Sequence, residues 1–501
     1  MLRVGLPQQP NTLNPLIGSQ FYENYIDEAL YSGLTVIGDR GEVNPDLAEA
    51  VPTRDNGGIS RDGRTIVYHL RPNLRWQDGV PLTAEDVAFT FARIRDPRTG
   101  FPATSTYDIV TRVSARDART VIVRLRRPSA DAVAEIFVNG QNGSIVPKHL
   151  LDGSSDLNNA SFNQHPVGSG PYAFVSWQRG AQLVLSANPL YFRGKPRIDR
   201  LRVEFIPDAG TIAVALRAGE LDFAPVVTPT AVQSLRGSTR LRIYEARTLS
   251  LTYLVYRLDR APFDDVRLRR AMALVVDRDA LVQRAFLGHA APASELLPPW
   301  SPFATIGAGE RPNPGAAGVL LDAAGWHLED DGIRTKGGKR LQMTLTTIAG
   351  SRTLVSIAVQ LQAAWKAIGV DVSLRPVESN VIFAPDGIGA RGDFSILLSG
   401  YGFGTTPDRS SILSSESVPP AGQNYARYRS AEVDGEIKRS RLTFDPSARQ
   451  RIFARIATRV RTDLPYVPIA WADRTSAAVR DLSGLRPEPI NSDFWNVYDW
   501  R

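Results

Sequence analysis

The feature that most constrains the fold is a long amphipathic helix followed by two apolar strands, in the second half of the chain. Residues 352–369 (RTLVSIAVQLQAAWKAIG) carry apolar side chains at helical spacing. These side chains form one stripe: Leu354, Ile357, Leu361, Trp365 and Ile368. The apolar strands VDVSLRPV and DFSILLSGY follow. Strands that alternate with a helix imply a mixed or parallel sheet covered by helices, so the predicted fold class is α/β.

The first half of the chain shows the same alternation of strand and helix signals. Residues 64–70 alternate apolar and polar side chains, as a half-buried strand does. Thr83 and Asp86 form a capping-box pattern, which predicts the start of a helix. Asp264 and Asp277 are the predicted N-caps of two further helices. Because 501 residues exceed what one hydrophobic core organises, two or three compact units are expected.

Composition narrows the classes of function. The chain has no cysteine, which excludes thiol nucleophiles, disulfides and cysteine-based metal sites, and is compatible with export to an oxidising compartment. The net charge is +7, but the arginines are spread among acidic residues, so nucleic acid is not an expected partner. No apolar stretch approaches the ~20 residues that span a bilayer. A soluble chain is expected.

Signals for catalysis, metals and cofactors are weak. The five histidines are far apart in sequence, and neither an HExxH, a GxSxG nor a Walker loop occurs. A GxGxxG pattern at Gly387, Gly389 and Gly392 precedes a strand, whereas a dinucleotide fingerprint follows one, so it is interpreted as a loop. No metal, no cofactor and no enzymatic activity are expected.

One stretch does have the composition of a binding surface, and it lies at the end of a predicted strand. Residues 400–404 read GYGFG. Glycines let a ligand approach the backbone, and Tyr401 and Phe403 supply broad apolar faces. The alternative is an edge loop that packs both aromatic rings inward.

A series of motifs resembles the extracellular solute-binding proteins of ABC importers, in the dipeptide and oligopeptide class (family 5). The longest motif is residues 68–91, YHLRPNLRWQDGVPLTAEDVAFTF. The others follow in the family's order over essentially the whole chain, at residues 167–177, 188–208, 215–223, 262–282, 361–372 and 423–437. Each motif also has a structural explanation as a turn, cap or tight path, so the motifs imply the fold more directly than the function.

The resemblance implies a periplasmic-binding-protein-like fold with two hinged lobes and an extra inserted domain. Lobe I would combine residues 1–40, 163–257 and 475–501, and lobe II would cover residues 258–474. The extra domain, residues 41–162, would be inserted into lobe I. A ligand would be enclosed between the lobes by hinge closure.

The resemblance also implies the residues that bind ligand. They are Ser19, Gln20, Phe21 and Tyr22 from the first lobe, and Tyr401, Gly402, Phe403 and Gly404 from the second. In peptide-binding members the second segment carries an aspartate that pairs with the ligand's α-amino group. Here Phe403 or a neighbour stands at that place, and the next acid is Asp408. Either Asp408 replaces it, or the ligand has no free amino terminus.

Arg352 is a further candidate, for a ligand carboxylate, because a guanidinium matches a carboxylate at two points. The alternative for Arg352 is a surface residue near the start of a helix.

The expected function is capture of a peptide or peptide-like solute in the periplasm and its delivery to a membrane permease. The chain is expected to act as a monomer, and a signal peptide, absent from this chain, to have been removed. One alternative is a non-peptide ligand, such as a sugar conjugate, an opine-like compound or a metal chelate. A hydrolase is an alternative of a different class, and it would need a nucleophile and base converging in the cleft.

Overall fold

The computed structural model describes residues 1–140, 143–154, 156–305, 309–490 and 492–501. Two compact units are present. The first unit combines Met1–Thr248 with Arg474–Arg501, and the second unit is Leu249–Asp473. The chain therefore passes from one unit to the other twice. A separate inserted domain over residues 41–162 stays a prediction.

The main sheet of the first unit mixes parallel and antiparallel strands. Leu2–Leu6 pairs in parallel with Arg200–Phe205, and Val4 is also in parallel register with Phe223. Antiparallel strands continue the sheet beyond Arg200–Phe205, first Gln182–Ala187 and then Tyr172–Gln178. On its other side the short strand Phe223–Ala224 pairs antiparallel with the end of the long strand Tyr466–Val479.

Two three-stranded sheets complete the strands of the first unit. One consists of Thr35–Ile37, Val43–Pro45 and Val138–Asn139, and the other of Thr65–His69, Val110–Asp117 and Thr120–Leu125. The α-helices are Glu23–Leu30, Ala84–Arg95, Lys148–Leu151, Ala209–Ala218 and Pro229–Leu235. Short 3₁₀ segments include Pro97–Thr99, Thr104–Tyr107, Ala132–Ala134, Leu157–Asn159, Ser161–Asn163 and Asp493–Asp499.

The second unit is built around a mixed sheet whose parallel part is the predicted strand–helix–strand region. Gln342–Ile348 pairs in parallel with Asp371–Val377 on one side and with Ile396–Gly402 on the other. Ile396–Gly402 pairs antiparallel with residues 250–256 of the long strand Leu241–Tyr256. Ala290–Pro292 pairs antiparallel with residues 470–472.

Helices and a small sheet surround this core. The α-helices are Val266–Ala273, Arg278–Ala285, Pro314–Ala323, Arg352–Lys366, Ser379–Phe383, Ile388–Arg391, Ser410–Leu413, Ala431–Leu442 and Pro446–Asp463, and Ser415–Ser417 is a 3₁₀ turn. The small antiparallel sheet consists of His327–Leu328, Arg334–Lys336 and Lys339–Arg340. The α/β class predicted from the sequence is confirmed.

Helix Arg352–Lys366 forms where the periodicity predicts it. The Ser351 side chain caps it by accepting a hydrogen bond from the Leu354 backbone N–H. All five residues of the apolar stripe are buried. The indole N–H of Trp365 donates to the Met272 carbonyl at 3.0 Å, so the largest side chain of the stripe enters the core without an unsatisfied donor.

The observed helix N-caps confirm two of the predicted caps and correct a third. Thr83 and Asp86 form the expected capping box on helix Ala84–Arg95. Asp277 caps helix Arg278–Ala285, but the preceding helix is capped by Asp265 and not by Asp264. The GxGxxG stretch contains the short helix Ile388–Arg391 where a loop was predicted, and it does precede the strand. Among the helices described here, none is long and apolar enough to cross a membrane.

Candidate functional site

The glycine-rich stretch 400–404 lies at an open strand end of the second unit. Tyr401 is in register with Leu251, and the Phe403 backbone N–H donates to the Leu249 carbonyl at 2.9 Å, so strand pairing continues past Gly402. Gly402 and Gly404 are exposed, and a Cβ added at either would meet no atom within 4 Å. The backbone of this stretch can therefore be approached closely, as the sequence predicts.

The two aromatic residues of the stretch differ in environment. Tyr401 is half-buried, whereas Phe403 is only 5% exposed. The Phe403 ring lies 4.6 Å from the Tyr401 ring and 6.2 Å from the Trp471 ring, measured between centroids. The Arg409 guanidinium carbon lies 4.0 Å from the Phe403 centroid. Phe403 thus packs as a core residue, whereas Tyr401 stays partly accessible, and a ligand role for either stays a prediction.

Trp471 and Trp300 extend this aromatic cluster, and the sequence analysis missed both. Their ring centroids are 6.2 Å apart. Trp471 is fully buried on strand Tyr466–Val479, while Trp300 is half-buried in the segment after Ala290–Pro292. No pattern in the sequence places residue 471 beside residue 403, because their contact depends on how distant segments of the unit pack. The aromatic wall is consequently wider than the stretch 400–404.

Asp408 is held by an ion pair within the protein. Arg441 Nε donates to one carboxylate oxygen of Asp408 at 2.8 Å, and the Ser410 backbone N–H donates to the other at 2.6 Å. Burial alone would raise the pKa of Asp408, but the charge of Arg441 and these hydrogen bonds outweigh it and lower the pKa. Each carboxylate oxygen of Asp408 thus already has a partner within the protein, and a role for Asp408 in binding a ligand's amino group stays a prediction.

Arg352 lies at the first residue of helix Arg352–Lys366 and is exposed. Its position fits a surface arginine at a helix start. A ligand role for Arg352 stays a prediction.

The predicted segment of the first unit precedes helix Glu23–Leu30 and is anchored by Glu23. The backbone N–H groups of Gln20 and Asn11 donate to the two Glu23 carboxylate oxygens at 2.7 and 2.8 Å. Ser19 is exposed, Gln20 is half-buried, and Phe21 is 44% exposed. A buried carboxylate therefore shapes this segment and leaves Ser19 and Phe21 accessible.

Aromatic rings connect this segment to the interior of the first unit. Tyr22 stacks on Tyr25 at 6.2 Å, and Phe21 meets Tyr25 edge-on at 6.0 Å. Tyr25 is buried and meets Phe494 edge-on at 5.6 Å. Each unit therefore presents exposed or half-buried aromatic residues that rest on buried rings, Phe21 and Tyr22 in the first and Tyr401 and Trp300 in the second.

A charged cluster lies buried among these rings in the first unit. Arg474 Nη2 donates to Asp493 Oδ1 at 2.5 Å and to the Glu488 carbonyl at 2.8 Å. The pKa of Glu28 is raised well above its usual value, first by burial and then by the charge of Glu488. Burial also raises the pKa of Asp493, against the opposing charge of Arg474. Arg474 is thus the cation shared by the three buried carboxyl groups of Asp493, Glu488 and Glu28.

Metal ligation has no support in the part of the chain that the structure describes, where no cluster of three or more histidine, aspartate or glutamate side chains could hold an ion. The two predicted segments lie in different units, and each is assembled as a continuous stretch within its own unit. The arrangement offers exposed backbone and accessible aromatic faces.

The model for bacterial extracellular solute-binding proteins, family 5 (middle region), matches residues 42–421. The chain belongs to this family, as the sequence motifs predict.

Curated relatives align along nearly the full chain. Protein XP55 of Streptomyces lividans is 31% identical over 485 residues, which is 96% of this chain and 85% of XP55. The oligopeptide-binding protein AppA of Bacillus subtilis is 28% identical over 510 residues, covering 100% of this chain and 91% of AppA.

Solved structures agree with this assignment. AppA of Bacillus subtilis in complex with a nonapeptide has a TM-score of 0.77 and 27% identity, covering 100% of this chain and 98% of that chain. NikZ of Campylobacter jejuni in complex with Ni(L-His) has a TM-score of 0.79 and 24% identity. The match covers 100% of this chain and 99% of the NikZ chain. The periplasmic-binding-protein fold predicted from the motifs is confirmed.

Proposed function

We propose that this chain captures a peptide or peptide-like solute in the periplasm, as a monomer, and delivers it to the membrane permease of an ABC importer. The observation that carries the proposal is the strand end at Gly402 and Gly404, where both residues are exposed and a Cβ on either would meet no atom within 4 Å. Extended peptides bind exposed backbone groups through main-chain hydrogen bonds. The nonapeptide complex of the related AppA supports the same ligand class.

The chemistry of the ligand follows from the charges near this strand end. The family resemblance puts Phe403 or a neighbour at the place of the amino-binding aspartate, and Asp408 is paired with Arg441. A buried ammonium without a carboxylate partner loses several kcal/mol, roughly, to desolvation. We therefore expect a peptide-like ligand whose amino terminus is blocked or missing. The ligand site would include Ser19, Gln20, Phe21 and Tyr22 of the first unit and Tyr401, Gly402 and Gly404 of the second.

Ligand identity is tested by native mass spectrometry of the purified protein and then by matched pairs of ligands. A tetrapeptide with a free amino terminus is compared with its N-acetylated form in a thermal-shift assay. A ligand at ~100 times its dissociation constant adds about 2.7 kcal/mol of stability. We expect the acetylated form to give the larger shift. Stabilisation only by sugar conjugates, opine-like compounds or metal chelates would replace the peptide assignment.

The role of Tyr401 is tested by Tyr401→Ala. We expect at least tenfold weaker binding of the acetylated peptide, with the melting temperature of the unliganded protein nearly unchanged, because Tyr401 is half-buried. The control is Phe383→Ala, which removes another partly exposed aromatic ring of the second unit. Equal affinities for the two variants would contradict the site. Turnover of a chromogenic peptide that is lost in Tyr401→Ala would indicate a hydrolase instead.

A further inference from the structure

A cavity of about 70 Å³ lies in the second unit, between helices Ala431–Leu442 and Pro446–Asp463 and the start of strand Tyr466–Val479. Its walls are mainly aliphatic and aromatic: Leu413, Ile437, Phe453, Ile456, Val460 and Val467. None of these residues belongs to the stretch 400–404. A void of this size is about half that of the engineered apolar cavity that holds benzene, so it suits a hydrocarbon group of about three or four carbons.

The half-buried Arg278 lines this cavity, together with Arg409, Arg461 and Glu295. Arg278 Nε donates to the carbonyls of Ala293 at 2.7 Å and Pro468 at 2.9 Å. Within the described ranges, no carboxylate lies within ion-pair distance of Arg278. Burial lowers the pKa of Arg278, and the more distant charge of Glu310 only partly offsets this. A guanidinium in such surroundings is stabilised by any anion that enters the cavity.

The other charged groups of the cavity are already engaged. Arg409 donates to the carbonyls of Leu296 at 2.9 Å and Thr406 at 2.7 Å. Both carboxylate oxygens of Glu295 accept hydrogen bonds from Thr305, at 3.0 and 2.7 Å. Arg461 Nη1 donates to Thr305 Oγ1 at 3.0 Å and lies 3.8 Å from Glu295 Oε2. Arg278 therefore lines the cavity without a carboxylate at ion-pair distance among the described residues, and the mainly apolar walls carry more positive than negative charge.

We propose that this cavity binds a small apolar carboxylate, with its carboxylate group at Arg278 and its alkyl group between the two helices. The size of the cavity favours a branched short-chain acid such as 3-methylbutanoate. This site is separate from the stretch 400–404 and does not depend on the proposed peptide function. The two are neighbours through Arg409, which lines the cavity and also lies over the Phe403 ring.

The test is a titration of the full-length protein, labelled at isoleucine methyl groups, with 3-methylbutanoate. We expect the methyl signals of Ile437 and Ile456 to shift with a saturable dependence on ligand. The neutral amide, 3-methylbutanamide, should bind at least tenfold more weakly, because it lacks the charge that Arg278 receives. N-acetyl-leucine forms a third arm: tighter binding than the free acid would assign the cavity to the end of a peptide and overturn the proposal.

Two variants and a control separate the ligand site from a mere void. Arg278→Met should weaken 3-methylbutanoate binding at least tenfold, while Arg284→Met, which removes an exposed charge from the same helix, should not. Ala457→Leu should fill the cavity and abolish binding of 3-methylbutanoate without unfolding the protein. This variant tests the proposal independently if Arg278→Met does not fold. Unshifted methyl signals at millimolar ligand, or unchanged binding in Ala457→Leu, would overturn the proposal.

Discussion

The two units bury their charges near the candidate binding segments in opposite ways. In the first unit, Arg474 lies among three buried carboxyl groups, those of Asp493, Glu488 and Glu28. In the second unit, Asp408 and Arg441 form a pair of equal and opposite charges. The pKa of Asp408 is lowered, whereas the pKa of Glu28 is raised well above its usual value.

This difference shows that burial alone does not decide whether a carboxylate stabilises the fold. A buried carboxylate with its own cation is favoured in the charged form, and its ionisation contributes to stability. A buried carboxylate that shares a cation with others is favoured in the neutral form, and its ionisation destabilises the fold. Substitutions of Arg474, Asp408 and Glu28 test this contrast.

Arg474→Met should cause the largest loss of stability. It leaves Asp493, which is 0% exposed, and its carboxyl neighbours without a buried cation. Removing one partner of a buried pair costs about 3–5 kcal/mol, and we expect the upper end of this range. The free energy of unfolding in urea measures the effect. Arg486→Met removes an exposed ion pair with Asp499 in the same unit and should cost below about 1 kcal/mol. Similar losses in both variants would mean that the cluster is effectively hydrated.

Asp408→Asn should cost less, because the Arg441 side chain is 27% exposed and is partly hydrated. We expect about 2–3 kcal/mol at neutral pH, below the range for fully buried pairs. The folded pKa lies below the unfolded value of about 3.9, so the contribution is complete above that pH and is lost as the pH falls through the folded pKa.

The measurement for Asp408→Asn is the melting temperature of wild type and variant from pH 7 to pH 2. Their difference should shrink in acid. Glu416→Gln, which breaks the exposed pair with Lys438, is the control and should change little at any pH. A constant difference between wild type and Asp408→Asn across this range would contradict the role of ionisation.

Glu28→Gln should have the smallest effect and the opposite sign. The folded pKa of Glu28 is raised, so its favourable contribution is complete below the unfolded value of about 4.3 and is lost as the pH rises through the folded pKa. The neutral glutamine avoids this loss, and we expect a gain of about 1–2 kcal/mol at pH 8. Melting temperatures at pH 5 and pH 8 measure it, with the exposed Glu49→Gln as control. A loss of stability at pH 8 would reverse the interpretation.

Local features of this protein could be predicted from the sequence because they depend on residues a few positions apart. The stripe of helix Arg352–Lys366 follows from side chains that recur every three or four residues. The capping box of Thr83 and Asp86 closes within one helical turn. Where two acids compete, as at Asp264 and Asp265, the pattern alone misplaced the cap by one residue.

The α/β class, the family and the two segments proposed to bind ligand could all be predicted from the sequence. The burial of Phe403 beside an accessible Tyr401 could not, because the neighbouring Trp471 comes from another strand and is brought there by tertiary packing. Tertiary packing also favours the charged form of Asp408, because its partner Arg441 is 33 residues away in the chain. Burial and charge compensation depend on which distant segments come together, and that information has no short-range pattern in the chain.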